Sequence, residues 1–186
     1  MFVQTEETPN PNTLKFLPGK VVSEIGSFEF TDQDQTENML IKDILSIEEI
    51  KMVFLGSDFI TVKKNDQSLW KEIKPKVISL INEHYIKNNT SILDKSYIKQ
   101  KSNDKNKKES NNEVVKKIIS VLDEKIRPAV ARDGGDIKFK SFEDGLVTVE
   151  LQGSCSGCPS STMTLKQGVQ NLLCHYVSEV KRVEAI

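Results

Sequence analysis

Residues 146–165 read LVTVELQGSCSGCPSSTMTL, and they carry the clearest structural signals in the second half of the chain. Its first six residues mostly alternate between apolar and polar side chains, as a half-buried β-strand does. Pro159 suits the first position of a helix, where an N–H group is not needed, and apolar residues three or four apart continue to Tyr176. The stretch therefore predicts a strand and a helix, with Cys155 and Cys158 in the loop that joins them.

The residues on both sides of this stretch complete an α-β-β-α-β order. The sequence predicts a helix at 113–132 and a hairpin with strands at 137–140 and 146–151. The cysteine loop at 153–159, a helix at 159–176 and a last strand at 180–183 follow. The first helix is expected to bend at Pro128 and to end at 133–136, Asp-Gly-Gly-Asp, because glycine readily adopts the left-handed conformation that follows a helix. The two carboxylates of 133–136 could instead serve a site, but helix termination is the favoured interpretation.

The first half of the chain mixes strand and helix patterns. The sequence predicts two short strands at 2–3 and 14–16, a helix at 38–47 and a hairpin with strands at 53–55 and 59–62. A long helix of about 20 residues is predicted to begin after a cap at Ser68. Two prolines within 8–12 exclude a helix between the first two strands. Trp70 is expected to pack the long helix on the sheet, and Pro75 is expected to kink that helix.

A polar segment separates the two halves. No aliphatic or aromatic side chain occurs at 99–113, and residues 95–112 carry six lysines and two acidic residues. Residues 99–113 therefore have no apolar side chain to bury against the entropy cost of ordering, and this basic run lacks the interleaved aromatic and arginine residues of a nucleic-acid patch. The sequence thus predicts an α+β protein with domains at 1–94 and 113–186, joined by a flexible linker at 95–112.

The composition excludes several classes of protein. With 26 Lys+Arg and 27 Asp+Glu residues, the net charge is −1, so the chain is not a generally basic nucleic-acid binder. The longest apolar run, 52–55, is far shorter than the roughly 20 residues that cross a bilayer. The first 20 residues match neither a secretory nor a transit pattern, so we expect a bacterial cytoplasmic protein, or a mitochondrial matrix protein if an upstream presequence was removed. A lasting disulfide is not expected in either compartment.

Cys155 and Cys158 stand where the thiolate form of cysteine is favoured. The N-terminal end of a helix presents unbonded N–H groups and a partial positive charge, and thiolates are what bind metals or attack disulfides. Gly153 and Gly157 allow the backbone to approach whatever the sulfurs hold. Taken alone, a C-x-x-C pair leaves metal binding, dithiol redox chemistry and no special role open.

The position of the pair in its domain differs from that in thioredoxin-like oxidoreductases. The pair follows a hairpin late in the domain, and no His or Lys adjoins it as a proton relay. A dithiol oxidoreductase is nevertheless the alternative function, and an interaction module that binds zinc adventitiously is a third.

One chain offers too few ligands for a closed metal site. Structural zinc and iron–sulfur clusters usually need four ligands, and the pair supplies two. If one helix spans 159–176, Cys174 lies about 24 Å along it from Cys158, so we interpret Cys174 as an incidental, partly exposed thiol. The missing ligands would then come from another molecule, and a symmetric pair of chains would supply four sulfurs. His84 and His175 are expected to be surface residues of helices.

Motifs in both domains carry a resemblance to a known family. Arg127-Pro128, the turn 133–136, Gly145 and the stretch 153–165 closely resemble the C-terminal domain of NifU-like iron–sulfur scaffold proteins. Residues 8–16, TPNPNTLKF, are similar to the domain that precedes it in the bacterial and mitochondrial Nfu branch.

This resemblance implies a carrier and not an enzyme. Its cargo would be a [4Fe–4S] cluster, with a [2Fe–2S] cluster as the alternative, held by Cys155 and Cys158 of two chains in a cluster-dependent homodimer. The implied partners are upstream cluster-assembly proteins and the apo-proteins that receive the cluster, with no nucleic acid and no membrane among them.

Overall fold

The computed structural model describes residues 2–88, 90–100, 113–156 and 159–186, with the backbone alone at 98–100, 159–162 and 164. These residues fall into two units on either side of 101–112. In each unit helices pack on a β-sheet, so the predicted α+β class with two domains is confirmed. Within the described ranges, no helix is both long enough and apolar enough to cross a membrane.

A five-stranded sheet forms the base of the first unit. Its strands β1 to β5 span Gln4–Glu7, Thr13–Leu17, Phe28–Phe30, Ile50–Leu55 and Ile60–Lys64. The strands follow the order β1-β2-β5-β4-β3, and all neighbouring pairs are antiparallel. The predicted hairpin is confirmed as β4 and β5.

The first strand begins later than the sequence predicts. The sequence predicts a strand at 2–3, whereas β1 begins at Gln4, which pairs with Leu17. Because Leu17 is the last residue of β2, residues before Gln4 have no partner on that strand, and Phe2 is 81% exposed. An apolar pair of residues carries no information on register, which strand pairing sets.

Three helices complete the first unit. α1, α2 and α3 span Met39–Leu45, Trp70–Asn88 and Lys95–Gln100, and a 3₁₀ turn spans Gln33–Gln35. The predicted helix at 38–47 is confirmed as α1, and the Asn38 side chain caps it by accepting a hydrogen bond from the backbone N–H of Ile41. α2 begins one residue later than a cap at Ser68 would give, since the Ser68 hydroxyl donates to the side chain of Asn65 at 2.6 Å. α2 runs through Pro75 as one helix.

The core of the first unit combines the sheet with one face of α1 and one face of α2. α2 contributes Ile73, Val77, Ile81 and Tyr85, which recur four residues apart and therefore share a face. Trp70 is half-buried against this core, as predicted, and its indole N–H donates to the carbonyl oxygen of Pro11 at 3.1 Å.

Part of the segment predicted as a linker is helical. Residues 95–100 form α3, and the ring of Tyr97 packs edge-on against Phe28 and Phe30, at centroid distances of 5.5 and 6.4 Å. The structure therefore differs from the expected coil at 95–100, because Tyr97 has apolar partners in the first unit. Residues 101–112, the rest of the predicted linker, lie outside the described residues.

The second unit follows the predicted α-β-β-α-β order. Its helices α4, α5 and α6 span Glu113–Val121, Arg127–Arg132 and Pro159–Tyr176, and its strands β6, β7 and β8 span Gly135–Glu143, Leu146–Gly153 and Arg182–Ala185. The sheet order is β6-β7-β8, antiparallel between β6 and β7 and parallel between β7 and β8.

The last strand is displaced from its predicted position. The sequence predicts a strand at 180–183, but β8 occupies Arg182–Ala185. The N–H of Val180 donates to the carbonyl of Val177 at 3.0 Å, so Val180 still belongs to the turn after α6. Pairing starts at Arg182 because its partner, Leu146, is the first residue of β7.

The remaining turns of the second unit agree with the sequence. A π-helical segment, Leu122–Ile126, joins α4 to α5, and Pro128 lies in the first turn of α5, so the helical path to Arg132 is confirmed. Gly134 has a φ of 82°, which confirms helix termination at 133–136. Asp144 and Gly145, with φ of 50° and 85°, form the two-residue turn of the predicted hairpin.

The core of the second unit lies between one face of the sheet and the helices. In β7, Val147, Val149 and Leu151 alternate with less buried residues and so share the covered face. The buried cluster comprises Ile118, Leu122, Ile126, Val130, Ile137, Val147, Val149, Leu151, Cys155, Val169, Leu173, Val177, Val180 and Val183.

Candidate functional site

The predicted cysteine loop joins β7 to α6. β7 ends at Gly153 and α6 begins at Pro159, which confirms Pro159 as the first residue of the helix. Cys155 is the second residue of the connection. Gly157 and Cys158, the second predicted ligand, lie outside the described residues.

Cys155 lies in the apolar core of the second unit. It is 4% exposed, and its neighbour Ser154 is 1% exposed. The sequence predicts a loop with room for a sizeable ligand, whereas Cys155 is almost fully buried in this structure.

Backbone hydrogen bonds fix the first half of the loop. The N–H of Ser154 donates to the carbonyl of Gly134 at 3.1 Å, which ties the loop to the turn after α5. The N–H and the hydroxyl of Ser156 both donate to the carbonyl of Gly153, at 3.2 and 2.8 Å. Gly153 adopts a φ of 70°, a conformation that glycine reaches without strain.

The turn at 133–136 contacts the loop directly. A Cβ atom added to Gly135 would lie 3.0 Å from the Sγ atom of Cys155 and 2.5 Å from the carbonyl oxygen of Gln152. The sequence predicts helix termination at this turn and gives no sign of the contact, because residues 135 and 155 are brought together by the pairing of β6 with β7.

Arg127 holds the same turn in place. Its Nε atom donates to Oδ1 of Asp136 at 2.9 Å, and its Nη2 atom donates to the carbonyl of Ile137 at 3.1 Å. Its Nη1 atom lies 2.6 Å from Oδ1 of Asp123. Asp136 is 7% exposed, and its Oδ1 atom also accepts a hydrogen bond from the N–H of Ile137. In the sequence, Arg127 stands out only through the family resemblance, which gives no sign of this role.

A pocket of about 360 Å³ lies beside Cys155. Its wall consists of Lys140, Glu150, Leu151, Cys155, Ser156, Ala185 and Ile186. The side chains of Lys140 and Glu150 form a close ion pair. Burial opposes the ionisation of Glu150, but hydrogen bonds from Lys140 and Gln152 outweigh this effect and lower the pKa of Glu150.

Comparison with known proteins assigns the chain to a family. The family model described as NifU-like domain matches residues 118–184, and the model described as Scaffold protein Nfu/NifU N terminal matches residues 3–88. The human protein named NFU1 iron-sulfur cluster scaffold homolog, mitochondrial, is 42% identical over 100% of this chain and 72% of its own length. The chain belongs to the Nfu family of NifU-like proteins. The resemblance found in the motifs is thereby confirmed.

A plant protein and a solved structure are also similar to this Nfu chain. NifU-like protein 4, mitochondrial, of Arabidopsis thaliana is 45% identical over 99% of this chain, and this Nfu chain spans 65% of that relative's length. The solution NMR structure of a NifU-like protein from Saccharomyces cerevisiae is 25% identical, with a TM-score of 0.46 over 51% of this chain and 86% of that one.

Cys174 of this Nfu chain is separate from the cysteine loop. It is exposed, as predicted, and it lies near the C-terminal end of α6. Because α6 is one helix from Pro159 to Tyr176, Cys174 is about 22 Å along the helix axis from Pro159. In the part of the chain that the structure describes, no group of three or more His, Cys, Asp and Glu residues could hold a metal ion.

Proposed function

We propose that the chain is an iron–sulfur cluster scaffold or carrier and not an enzyme. Cys155 and Cys158 of two chains would together hold a [4Fe–4S] cluster, which the carrier then transfers to apo-proteins. One observation carries the proposal: the length of α6 places Cys174 far from the cysteine loop, so that of the three cysteines only Cys155 and Cys158 are near the start of this helix in the sequence. Since such clusters usually take four thiolates, two chains with two cysteines each complete the set.

The position of the loop supports cluster binding by thiolates. The connection that holds Cys155 leads directly into the N-terminal end of α6, where unbonded N–H groups and the helix dipole favour negative charge. Each thiol loses its proton when it binds iron, so this environment favours the bound state. Binding of iron by these thiolates does not change the oxidation state of the cysteine sulfurs.

A site shared between two chains also suits transfer. When the interface loosens, each chain retains half of the ligands, and the thiolates of a receiving protein can replace the others. The proposed partners are therefore apo-proteins that receive the cluster and upstream proteins that supply it. The names of both the human and the plant relative contain the word mitochondrial, which favours a mitochondrial matrix location over a bacterial cytoplasm.

Anaerobic reconstitution of the full chain with ferrous iron and sulfide tests the proposal. Iron, acid-labile sulfide and oligomer mass are measured on one sample. We expect a brown dimer with about four irons and four sulfides per two chains, from the four-thiolate rule. About two irons per two chains would assign the [2Fe–2S] alternative instead.

Two outcomes would overturn the proposal. A colourless monomer after reconstitution would show that the chain does not bind a cluster. Catalytic reduction of insulin disulfides by the iron-free protein would show that the cysteine pair works as a dithiol oxidoreductase.

A further inference from the structure

The backbone at Gly135 leaves a space that the side chain of Cys155 fills. A methyl group there would lie 2.5 Å from the carbonyl oxygen of Gln152, 3.0 Å from Sγ of Cys155 and 3.4 Å from its Cβ atom. Gly135 does not have a positive φ, so its backbone conformation permits alanine. The neighbouring atoms, however, leave no room for a Cβ atom. One methyl group therefore crowds both the end of β7 at Gln152 and the side chain of Cys155, without straining the dihedral angles.

The position of Gly135 depends in turn on Arg127. Arg127 reaches across nine residues to Asp136 and also binds the carbonyl of Ile137, so its guanidinium group spans the start of β6. Asp136 is almost fully buried, and loss of Arg127 would take an ion-pair partner from this buried carboxylate. A lysine at 127 could keep one ion pair but cannot make the same set of planar hydrogen bonds.

A backbone hydrogen bond joins the turn to the cysteine loop. The N–H of Ser154 donates to the carbonyl of Gly134, one residue before Gly135. A displacement of the turn is thus transmitted to the residue that precedes Cys155.

We propose that Gly135 and Arg127 are positioning residues that hold the thiol of Cys155 in its covered position, and so set how readily this thiol becomes available to its cargo. Gly135 provides the space, and Arg127 fixes the turn. That this thiol binds an iron–sulfur cluster rests on the proposed function. The reactivity of the thiol, however, can be measured in the metal-free chain.

The alkylation rate of Cys155 by iodoacetamide tests this proposal in the full, metal-free chain. Cys158→Ser and Cys174→Ser are introduced first, so that Cys155 is the remaining thiol of the three in the sequence. Gly135→Ala is expected to raise the rate, measured by intact mass, at least tenfold. Gly168→Ala adds the same methyl group where no atom outside the helix's own backbone lies within 4 Å, and it should not raise the rate.

A second control separates positioning from general loss of stability. Ile118→Val removes one methylene from a fully buried residue of α4 and destabilises the same unit without filling the space at Gly135. If this variant raises the alkylation rate as much as Gly135→Ala, or if folded Gly135→Ala reacts at the wild-type rate, the role of Gly135 is excluded.

Arg127→Lys provides an independent test if Gly135→Ala does not fold. We expect a severalfold faster reaction of Cys155, whereas Arg182→Lys, which alters an exposed ion pair with Glu184, should have no effect. An unchanged rate in folded Arg127→Lys would overturn the role of Arg127. A different result is that the variants react faster although the parent chain fails to bind a cluster on reconstitution. That result would support the positioning role and contradict the proposed iron–sulfur cargo, so the two proposals can fail separately.

Discussion

Cys155 and Cys174 occupy opposite environments in the second unit: Cys155 is 4% exposed within the apolar core, whereas Cys174 is exposed near the end of α6. An alkylating reagent reaches a sulfur atom only when that atom is open to solvent. We therefore expect Cys174 of the metal-free chain to react with iodoacetamide at least tenfold faster than Cys155, as measured by peptide mass mapping. In urea the two rates should converge, and equal rates in the folded protein would contradict the burial of Cys155.

Replacement of single cysteines should separate the cluster ligands from the incidental thiol. Cys155→Ala or Cys158→Ala should abolish iron retention after reconstitution, because each change removes two of four sulfurs from a dimer. Cys174→Ala should retain the wild-type iron content, because the length of α6 keeps residue 174 away from the loop. Equal loss of iron in all three variants would show that Cys174 is a ligand.

The accuracy of the sequence predictions depends on how local each signal is. Pro159 at the start of α6 and the Asp144-Gly145 turn were predictable, because proline and glycine act on their own backbone. The first and last residues of β1 and β8 were not predictable from the sequence, because strand pairing sets them.

Long-range contacts explain what sequence analysis missed at the site. The contact of Gly135 with Cys155 joins residues 20 positions apart and exists only in the folded sheet. The links of Arg127 to Asp136 and Ile137 likewise depend on the path of the chain around the turn. Spacing along the sequence reveals the candidate ligands, but it does not reveal the residues that hold them.

Two glycines with open surroundings should respond oppositely to alanine. Neither Gly168 nor Gly26 has a neighbour within 4 Å of an added Cβ atom, but Gly26 has a φ of 98°. Gly168→Ala should stabilise the second unit by about 0.5–1 kcal/mol, because alanine is the better residue inside a helix. Gly26→Ala should destabilise the first unit by about 1–2 kcal/mol, because side chains are strained at positive φ. Hydrogen exchange of core amides measures each unit separately, and the same sign for both changes would contradict this reasoning.

Two isoleucines of α2 differ in burial and should differ in their contribution to stability. Ile73 is fully buried in the first core, whereas Ile86 is 74% exposed. Ile73→Ala should lower the free energy of unfolding of the first unit by about 2–5 kcal/mol, since it removes packed methyl groups and leaves a cavity. Ile86→Ala should change it by less than about 0.5 kcal/mol. Comparable losses in urea unfolding would mean that α2 packs with a different face.

His84 should make the first unit less stable in mild acid. The sequence predicts a surface residue, but His84 is half-buried, and its Nε2 atom is buried without a hydrogen-bond partner among the described residues. Burial lowers the pKa of His84 below its usual 6.5, against an opposing hydrogen bond with the backbone of Thr90. The folded chain therefore resists protonation that the unfolded chain accepts near pH 6.5.

The sign of the pH effect follows from this difference in proton affinity. The stability that neutral His84 provides is present above pH 6.5 and is lost as the pH falls through the lowered pKa of the folded state. The unfolding free energy of the first unit should thus decrease between pH 7 and pH 5 by more in the wild type than in His84→Gln. His175→Gln, which changes an exposed histidine of the second unit, should leave this decrease unaltered. If His84→Gln and the wild type lose the same amount of stability over this range, carboxylates and not His84 account for the acid sensitivity.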